Sequence, residues 1–166
     1  MSKWKKKNDP VVLTTNSSDA SREDMAYISG EAFKALSEMA RIYSSVRDSG
    51  IKTKINELMR ITDKIAQDAA DDPSDIPQVK RFFNYYLPTT IKLLNAYDRM
   101  SAQGIDGDNI NRSLESIDEM LDKAIIAYKK RLDTLFANQA LDIETDIAVM
   151  NTLMEREGLT GINDFN

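Results

Sequence analysis

The sequence of 166 residues contains no cysteine and no histidine. The absence of cysteine excludes disulfides, thiolate nucleophiles and cysteine metal sites, and the absence of histidine removes the commonest general base and transition-metal ligand. The sequence also has no glycine-rich loop that would cradle a phosphate at a helix start. A hydrolase with this composition would depend on carboxylates and a borrowed metal ion. We therefore predict no catalytic residue, no metal site and no cofactor.

Long apolar segments are absent as well. No run approaches the roughly 20 apolar residues of a membrane-spanning helix. The basic residues 1–8, which include Trp4, are followed by polar residues rather than by the apolar core of a signal peptide. We therefore expect a cytoplasmic protein. Weak contact of residues 1–8 with an anionic membrane surface would make its location at most membrane-peripheral.

Negative charge dominates the chain beyond these first residues. The formal net charge is −5, although residues 1–8 carry four lysines and no acid. An acidic surface repels the phosphate backbone of DNA and RNA, and we therefore predict that no nucleic acid is a partner.

Apolar residues recur at spacings of three and four along most of the chain, which predicts amphipathic helices. No strand-like alternation competes with this pattern. The predicted helices span about residues 22–50, 51–71, 76–100, 109–135 and 142–157. Short connections between them favour an all-α antiparallel helical bundle of about five helices.

The domain organisation follows from length and composition. Residues 8–21 are polar and lack a helical period, so we predict a disordered basic and polar arm over residues 1–21. Ser21 and Asp24 resemble a capping box at the start of the first helix. Because the length suits one domain, we predict a single bundle domain over residues 22–160 and a tail over residues 161–166.

The third predicted helix has two apolar ridges, so we expect it to be central and to contact helices on both sides. One ridge contains Ile76, Val79, Phe83, Tyr86, Thr90, Leu94 and Tyr97, and the other contains Phe82, Thr89, Leu93 and Met100. Pro88 removes the hydrogen bond to the carbonyl of Asn84, which predicts a kink. Thr89 and Thr90 are placed to bond back to carbonyls one turn earlier.

The fifth predicted helix is short and begins at Asp142. Its apolar residues are expected to face the core, and they are Ile143, Ile147, Met150 and Met154. Gly158 followed by Leu159 fits a helix C-cap with its hydrophobic contact.

A stripe on the polar side of the third predicted helix combines cations with a tyrosine. It contains Arg81, Tyr85, Lys92 and Arg99, with no acid between them until Asp98. Such a stripe suits a phosphate, another oxyanion or an acidic partner helix. Two structural alternatives stay open, a solvated face or ion pairs with acids of the fourth and fifth helices. Those acids are Asp118, Asp122, Asp142, Glu144 and Asp146.

Two acidic segments imitate metal-binding motifs. Residues 71–75 have the spacing of an aspartate-rich diphosphate site, but Pro73 predicts a turn instead of the unbroken helix that such a site needs. Residues 106–108 begin like a calcium loop, but Ile110 and Ile117 stand where oxygen ligands are required. We predict structural roles for both segments.

The segment Phe-Asn-Tyr-Tyr-Leu-Pro-Thr-Thr-Ile-Lys-Leu-Leu at residues 83–94 is the most distinctive part of the sequence. Together with residues 141–150 and 158–159, it resembles the bacterial XpaC family over about residues 30–159. That family is named for hydrolysis of 5-bromo-4-chloroindolyl phosphate, and its members are often associated with the toxic-anion-resistance protein TelA. The resemblance implies a TelA-like protein partner and carries over no catalytic residue. The structural motif comprises Phe83, Tyr86, Leu87, Pro88, Thr89 and Thr90.

Two functions follow from the residues and the resemblance. The favoured one is a non-enzymatic helical interaction protein that acts with a TelA-like partner in bacterial stress or envelope homeostasis. The alternative is a metal-assisted phosphatase of aryl phosphates, with Asp142, Glu144 and Asp146 converging on the third helix. The predicted binding residues are Arg81, Tyr85, Lys92, Arg99, Asp142 and Asp146.

Overall fold

Five helices make up the part of the chain that the structure describes. The computed structural model describes residues 10–161, with side chains from residue 19 onward. The α-helical segments are α1 (Pro10–Ser45), α2 (Ser49–Asp71), α3 (Ile76–Arg81), α4 (Leu87–Ser101), α5 (Asp108–Leu135) and α6 (Ala137–Arg156). A π-helical segment, Phe82–Tyr86, joins α3 and α4 into one continuous helix, called the third helix below. No strand occurs among the described residues, and the predicted all-α helical bundle is confirmed.

The chain divides into two compact units. The first comprises residues 1–132 and includes α1 to α4 and most of α5, and the second comprises residues 133–166 and includes α6. The single domain predicted for residues 22–160 spans both units and stays a prediction. The predicted tail lies outside the described residues except for its first residue, Gly161.

The first helix begins earlier than the sequence analysis predicts. α1 starts at Pro10, so the backbone of residues 10–21 is helical where a disordered arm is predicted. Proline is favoured in the first helical turn, because its φ angle is preset and its missing N–H would have no partner there. No other proline and no glycine follows before Gly30, so the sequence contains no strong helix terminator in between.

Membrane contact is predicted only for residues 1–8, which lie outside the described residues. None of the helices in the described part of the chain combines the length and the apolar character needed to cross a membrane. The cytoplasmic location stays a prediction.

The first unit packs around an apolar core. α1 contacts α2 and the third helix, and α2 also contacts α3. α5 joins the third helix through Tyr128, whose ring meets that of Phe82 edge-on with 4.6 Å between the ring centroids. The third helix therefore contacts both α1 and α5, as its two ridges predict. The largest fully buried side chains include Ile28, Met39, Ile42, Ile51, Ile55, Leu58, Ile61, Ile65, Phe82, Phe83, Leu94 and Leu121.

The irregularity expected at Pro88 takes the form of a π-helical turn just before it. The N–H of Leu87 donates to the carbonyl of Phe82, five residues earlier. Such a turn holds more residues than an α-helical turn and is wider. The wider turn makes room where the proline ring would crowd the carbonyl of Asn84.

Thr89 and Thr90, which follow Pro88, form the predicted hydrogen bonds to backbone carbonyls. Thr89 Oγ1 donates to the carbonyl of Tyr85 at 3.2 Å, and Thr90 Oγ1 donates to the carbonyl of Tyr86 at 2.9 Å. The two hydroxyls therefore act as additional hydrogen-bond donors to backbone carbonyls next to Pro88, which has no N–H to donate.

The residues of the third helix that face the core differ in part from the prediction. Phe82 and Phe83 are both buried, and so are Leu87, Thr90 and Leu94, which follow Phe83 at spacings of three and four. Tyr86 is 51% exposed and Thr89 is exposed too, so the predictions that these two residues lie on the core ridges are wrong.

α6 differs from the predicted fifth helix in its start and its burial. It begins at Ala137, so Asp142 lies inside the helix and does not cap it. No residue of α6 is buried, which contradicts the prediction that its apolar residues face the core. The residues concerned, all exposed or half-buried, are Ile143, Ile147, Met150 and Met154. A periodic pattern shows which face of a helix is apolar, but not whether another element covers that face.

The C-terminal end of α6 has the backbone bonds of the predicted cap. Gly158 adopts φ 73°, and its N–H donates to the carbonyl of Glu155 at 3.1 Å. The N–H of Leu159 donates to the carbonyl of Met154 at 2.8 Å. This pair of bonds is the Schellman motif, and glycine suits it because a Cβ would be strained at positive φ.

Candidate functional site

An open, mostly apolar groove of about 590 Å³ lies between the third helix and α5. Tyr85, Tyr86 and Met120, all lining it, are large side chains exposed by 68%, 51% and 45%. Exposed aromatic and methionine side chains in a concavity are typical of surfaces that bind another protein segment. We call this site the tyrosine groove. Its lining residues are Tyr85, Tyr86, Thr89, Thr90, Leu93, Met120, Leu121, Lys123, Ala124, Ala127 and Tyr128.

A chain of buried hydrogen bonds forms the floor of the tyrosine groove. The Tyr128 hydroxyl donates to Thr90 Oγ1 at 2.7 Å, and Thr90 donates in turn to the carbonyl of Tyr86. Tyr128 is 2% exposed, and burial raises the pKa of its hydroxyl, so it stays a protonated donor. The ring of Phe82 packs against both Tyr86 and Tyr128. The hydrogen bond between Tyr128 and Thr90 therefore joins α5 to the third helix at the floor of the groove.

The structural motif is divided between two sides of the third helix. The part that lines the tyrosine groove is Tyr86, Thr89 and Thr90. The other part lines a smaller cavity of about 350 Å³ against α1, and it consists of Phe83, Leu87 and Pro88. The most distinctive segment of the sequence thus serves both the core contact with α1 and the surface of the groove.

Exposed cations lie on both helices that form the tyrosine groove. Arg81, Lys92 and Arg99 of the predicted stripe lie on the third helix, and none of them forms an ion pair within residues 19–161. Lys92 follows the lining residue Thr89 by three residues, which places it at the third-helix edge of the groove, whereas Arg81 and Arg99 lie beyond the two ends of the lining segment 85–93. Lys123 lines the α5 side and is likewise outside every ion pair among those residues. We call these four residues the cationic rim.

The acids closest to the stripe are engaged elsewhere in the first unit. Asp118 and Asp122 of α5 both pair with Lys54 of α2, the second at 2.9 Å, and the hydrogen bond that Lys54 donates to Asp118 raises the pKa of Lys54. Asp98 pairs with Arg41 of α1 at 3.5 Å. These pairs tie the helices together and do not neutralise the cationic rim.

The two acidic residues predicted to bind, Asp142 and Asp146, lie on α6 in the second unit. Both are exposed, and their spacing places them on one face of the helix. The other four predicted binding residues lie on the third helix in the first unit. The predicted pairing between the two sets and the predicted convergence of acids on the third helix stay predictions. Within the described part of the chain, no group of three or more acidic side chains is arranged to hold a metal ion.

The corner between α2 and α3 contains two buried carboxyl groups. Asp68 and Asp75 are 6% and 5% exposed, and one carboxyl oxygen of each is buried without a hydrogen-bond partner among the described residues. Burial and the neighbouring Asp75 raise the pKa of Asp68 to about 7. The side chain of Asp75, at the N-terminus of the third helix, makes no capping bond. Asp72 caps the turn instead and accepts from the N–H of Ser74 at 3.1 Å.

The α5 wall of the groove is the part of the site that sequence reasoning missed. The wall is one helical face, since its residues recur at spacings of three and four. They are Met120, Lys123, Ala124, Ala127 and Tyr128. The spacing is visible in the sequence, but it does not reveal which helix this face lies beside.

A family model matches most of the chain, including both walls of the tyrosine groove and most of α6. It is described as 5-bromo-4-chloroindolyl phosphate hydrolysis protein and matches residues 1–150. The chain belongs to this family, the XpaC family. The resemblance carried by residues 83–94 is therefore confirmed. No curated protein and no solved structure matches this XpaC-family chain.

Proposed function

We propose that this XpaC-family protein is a non-enzymatic interaction protein whose tyrosine groove binds an acidic amphipathic helix of a protein partner. The observation that carries the proposal is an apolar groove between two helices that carry exposed cations, none of which has an ion-pair partner among residues 19–161. A helix lying in the groove would cover Tyr85, Tyr86 and Met120 with its apolar face. Its acidic residues would then meet the cationic rim.

The two parts of the site have different physical roles. Covering a large apolar side chain contributes roughly 1.5 to 3 kcal/mol, so the exposed tyrosines are the expected anchors of the complex. The cationic rim is exposed to water, so its charges mainly accelerate the encounter and set the register of the bound helix. Opposite charge at the rim also disfavours basic helices, which gives the groove specificity.

A TelA-like toxic-anion-resistance protein is our candidate partner, acting with this chain in bacterial stress or envelope homeostasis. Support for this partner comes from membership of the XpaC family, whose members are often associated with TelA. The chemistry of the tyrosine groove adds a requirement, namely that the segment of the partner that binds is helical, acidic and apolar on one face.

Charge reversal at the cationic rim tests the proposal. Arg81→Glu, Lys92→Glu and Arg99→Glu, combined in one chain, should weaken binding of a purified TelA-like protein by at least about tenfold, because each favourable contact becomes a like-charge contact. Isothermal titration calorimetry measures the affinity. Far-UV circular dichroism should show unchanged helicity, since all three side chains are exposed.

A matched control reverses exposed cations away from the groove. Arg47→Glu, Lys64→Glu and Arg112→Glu change the net charge by the same amount and should leave binding within about twofold of wild type. If the rim variant binds as tightly as this control, the tyrosine groove is not the docking surface.

A phosphatase is the second candidate, because the description of the matched family names the hydrolysis of an aryl phosphate. Its carboxylates would be Asp142, Glu144 and Asp146, with a divalent metal ion as Lewis acid. Purified protein assayed on 5-bromo-4-chloroindolyl phosphate across divalent metals separates the two functions. We expect no turnover above background. Metal-dependent turnover that disappears in Asp146→Ala would establish the phosphatase instead.

A further inference from the structure

α6 is a helix of 20 residues without a single buried one. It exposes large apolar side chains over most of its length, and they are Leu141, Ile143, Ile147, Val149, Met150 and Leu153. A helix that is apolar on several sides is normally covered by other protein. α6 therefore has the character of a binding element.

Acidic residues border the principal apolar stripe of α6. The stripe follows the spacing i, i+4, i+7 and consists of Ile143, Ile147 and Met150. At 100° per residue, Asp142 and Asp146 lie along one border of this stripe and Glu144 lies beyond the other. α6 is thus an acidic amphipathic helix, which is the kind of helix that the proposed function assigns to the tyrosine groove.

The apolar stripe and the charge of α6 also match the groove. The third-helix residues that line the groove, 85–93, span about 12 Å, and the stripe from Ile143 to Met150 spans about 10 Å. The cationic rim has members on both helices that form the groove, Lys92 and Arg99 on one and Lys123 on the other. A helix with acids on both borders of its apolar stripe complements that arrangement.

Resting on the proposed function, we propose that the tyrosine groove also binds α6 of a second copy of this chain. In a twofold-symmetric dimer, the α6 helix of each copy lies in the groove of the other, and both apolar surfaces are covered. The dimer and the complex with a partner protein use the same groove. They therefore exclude each other, and the partner must displace α6.

A charge swap between two chains tests this dimer. The groove variant carries Lys92→Glu and Arg99→Glu, and the α6 variant carries Asp142→Lys and Asp146→Lys. Each variant alone places like charges in both copies of the interface and should be monomeric. An equimolar mixture should form a heterodimer, because the swapped groove meets the swapped α6 and the two native surfaces also meet. Sedimentation velocity, with one variant fluorescently labelled, measures each state.

Two controls keep the test independent of folding. A chain that combines all four substitutions should regain the wild-type dimer, since its groove and its α6 again have opposite charge. A chain with Arg47→Glu and Lys64→Glu should dimerise like wild type, because both residues are exposed and lie outside the groove. Far-UV circular dichroism of every variant should match that of wild type.

The outcomes separate this inference from the proposed function. A wild-type chain that is monomeric up to about 100 μM, the range of weak specific association, would overturn the dimer, as would single variants that remain dimeric. In either case, loss of TelA-like protein binding in the rim variant would still uphold the groove as a docking site. A restored heterodimer together with unchanged binding of the TelA-like protein to the rim variant would support the dimer and show that the TelA-like protein does not dock at the groove.

Discussion

At the scale of single residues, the hydroxyl of Tyr128 makes a buried polar contact between α5 and the third helix. It donates to Thr90, which is 5% exposed and passes a hydrogen bond on to the carbonyl of Tyr86. Both hydroxyls are out of water, so removing one of them leaves the other to find a partner in the protein. Because Tyr128 donates to Thr90 and Thr90 donates to the backbone, loss of the Thr90 hydroxyl should lower stability more than loss of the Tyr128 hydroxyl.

Removal of the two hydroxyls should have unequal effects. Tyr128→Phe should lower the free energy of unfolding by about 1 kcal/mol, because Thr90 can still donate to the backbone. Thr90→Val should lower it by roughly 1 to 3 kcal/mol, because the Tyr128 hydroxyl is then buried without an acceptor. Urea denaturation followed by circular dichroism measures both values. Equal losses would mean that the Tyr128 hydroxyl has an alternative acceptor.

The buried pair of Asp68 and Asp75 links folding to pH. The pKa of Asp68 rises from 3.8 to about 7 on folding, chiefly because burial disfavours the charged carboxylate. Between these two values, the folded chain holds a proton that the unfolded chain has released. The contribution of Asp68 to stability is therefore largest below about pH 4, declines as the pH rises, and stops changing above about pH 7.

Asp68→Asn should remove this decline, because an amide of nearly the same shape does not ionise. Relative to wild type, the variant should become progressively more stable from about pH 4 to about pH 7, by up to about 1.4 kcal/mol per pH unit. Urea denaturation across this range measures the difference. Asp133→Asn, at an exposed position away from this corner, is the control. If the free energy of unfolding changed with pH in parallel for wild type and Asp68→Asn, the raised pKa of Asp68 would be contradicted.

At the scale of secondary structure, the third helix serves two surfaces around its π-helical turn at Phe82–Tyr86. Leu87 lies in the core against α1, and Tyr86 lines the tyrosine groove. Pro88 favours the wider turn, because its ring is incompatible with regular α-helical bonding at this point.

A pair of alanine substitutions tests which residue of the third helix faces the core, Leu87 or Tyr86. Leu87→Ala should lower the free energy of unfolding by roughly 2 to 5 kcal/mol, because Leu87 is 3% exposed and its truncation leaves a cavity. Tyr86→Ala should cost about 1 kcal/mol or less, because half of this side chain is already in water. Thermal and urea denaturation measure both. A larger loss in Tyr86→Ala would mean that Tyr86, and not Leu87, faces the core.

At the scale of the whole molecule, charge is distributed in a way that favours acidic ligands at one place. The chain carries a net charge of −5, yet the two helices that form the tyrosine groove carry the four cations of the rim, which form no ion pair in the described structure. The surrounding negative charge repels acidic segments elsewhere on the surface, whereas the cationic rim attracts them. The same attraction would orient α6 of a second copy, or the helix of a partner protein, in the groove.

Salt should therefore weaken self-association. Raising the ionic strength from about 0.1 M to about 1 M shortens the Debye length from about 10 Å to about 3 Å, which screens the exposed charges of the rim and of α6. The dissociation constant of the dimer, measured by sedimentation equilibrium, should rise over this range. The dimer restored by the four-substitution chain should respond in the same direction. A dimer that tightens with salt would be held by apolar contacts alone.

The sequence predicted the helices well, because helical periodicity is a local property. The third helix, its proline irregularity and the back-bonding of Thr89 and Thr90 follow from residues within one or two turns of each other. The stripe of Arg81, Lys92 and Arg99 was found for the same reason. The α5 wall of the groove was not, because it depends on which helix packs beside the third helix.

The sequence by itself determined the all-α class, the number of helices, the family and the charged and apolar faces, since each of these depends on residue type and near-neighbour spacing. Only the tertiary structure decided which faces are covered. It paired Asp118 and Asp122 with Lys54, buried Asp68 beside Asp75, and left α6 without a buried residue. Burial and ion pairing depend on residues distant in the chain, and no local pattern specifies which of several similar faces will meet.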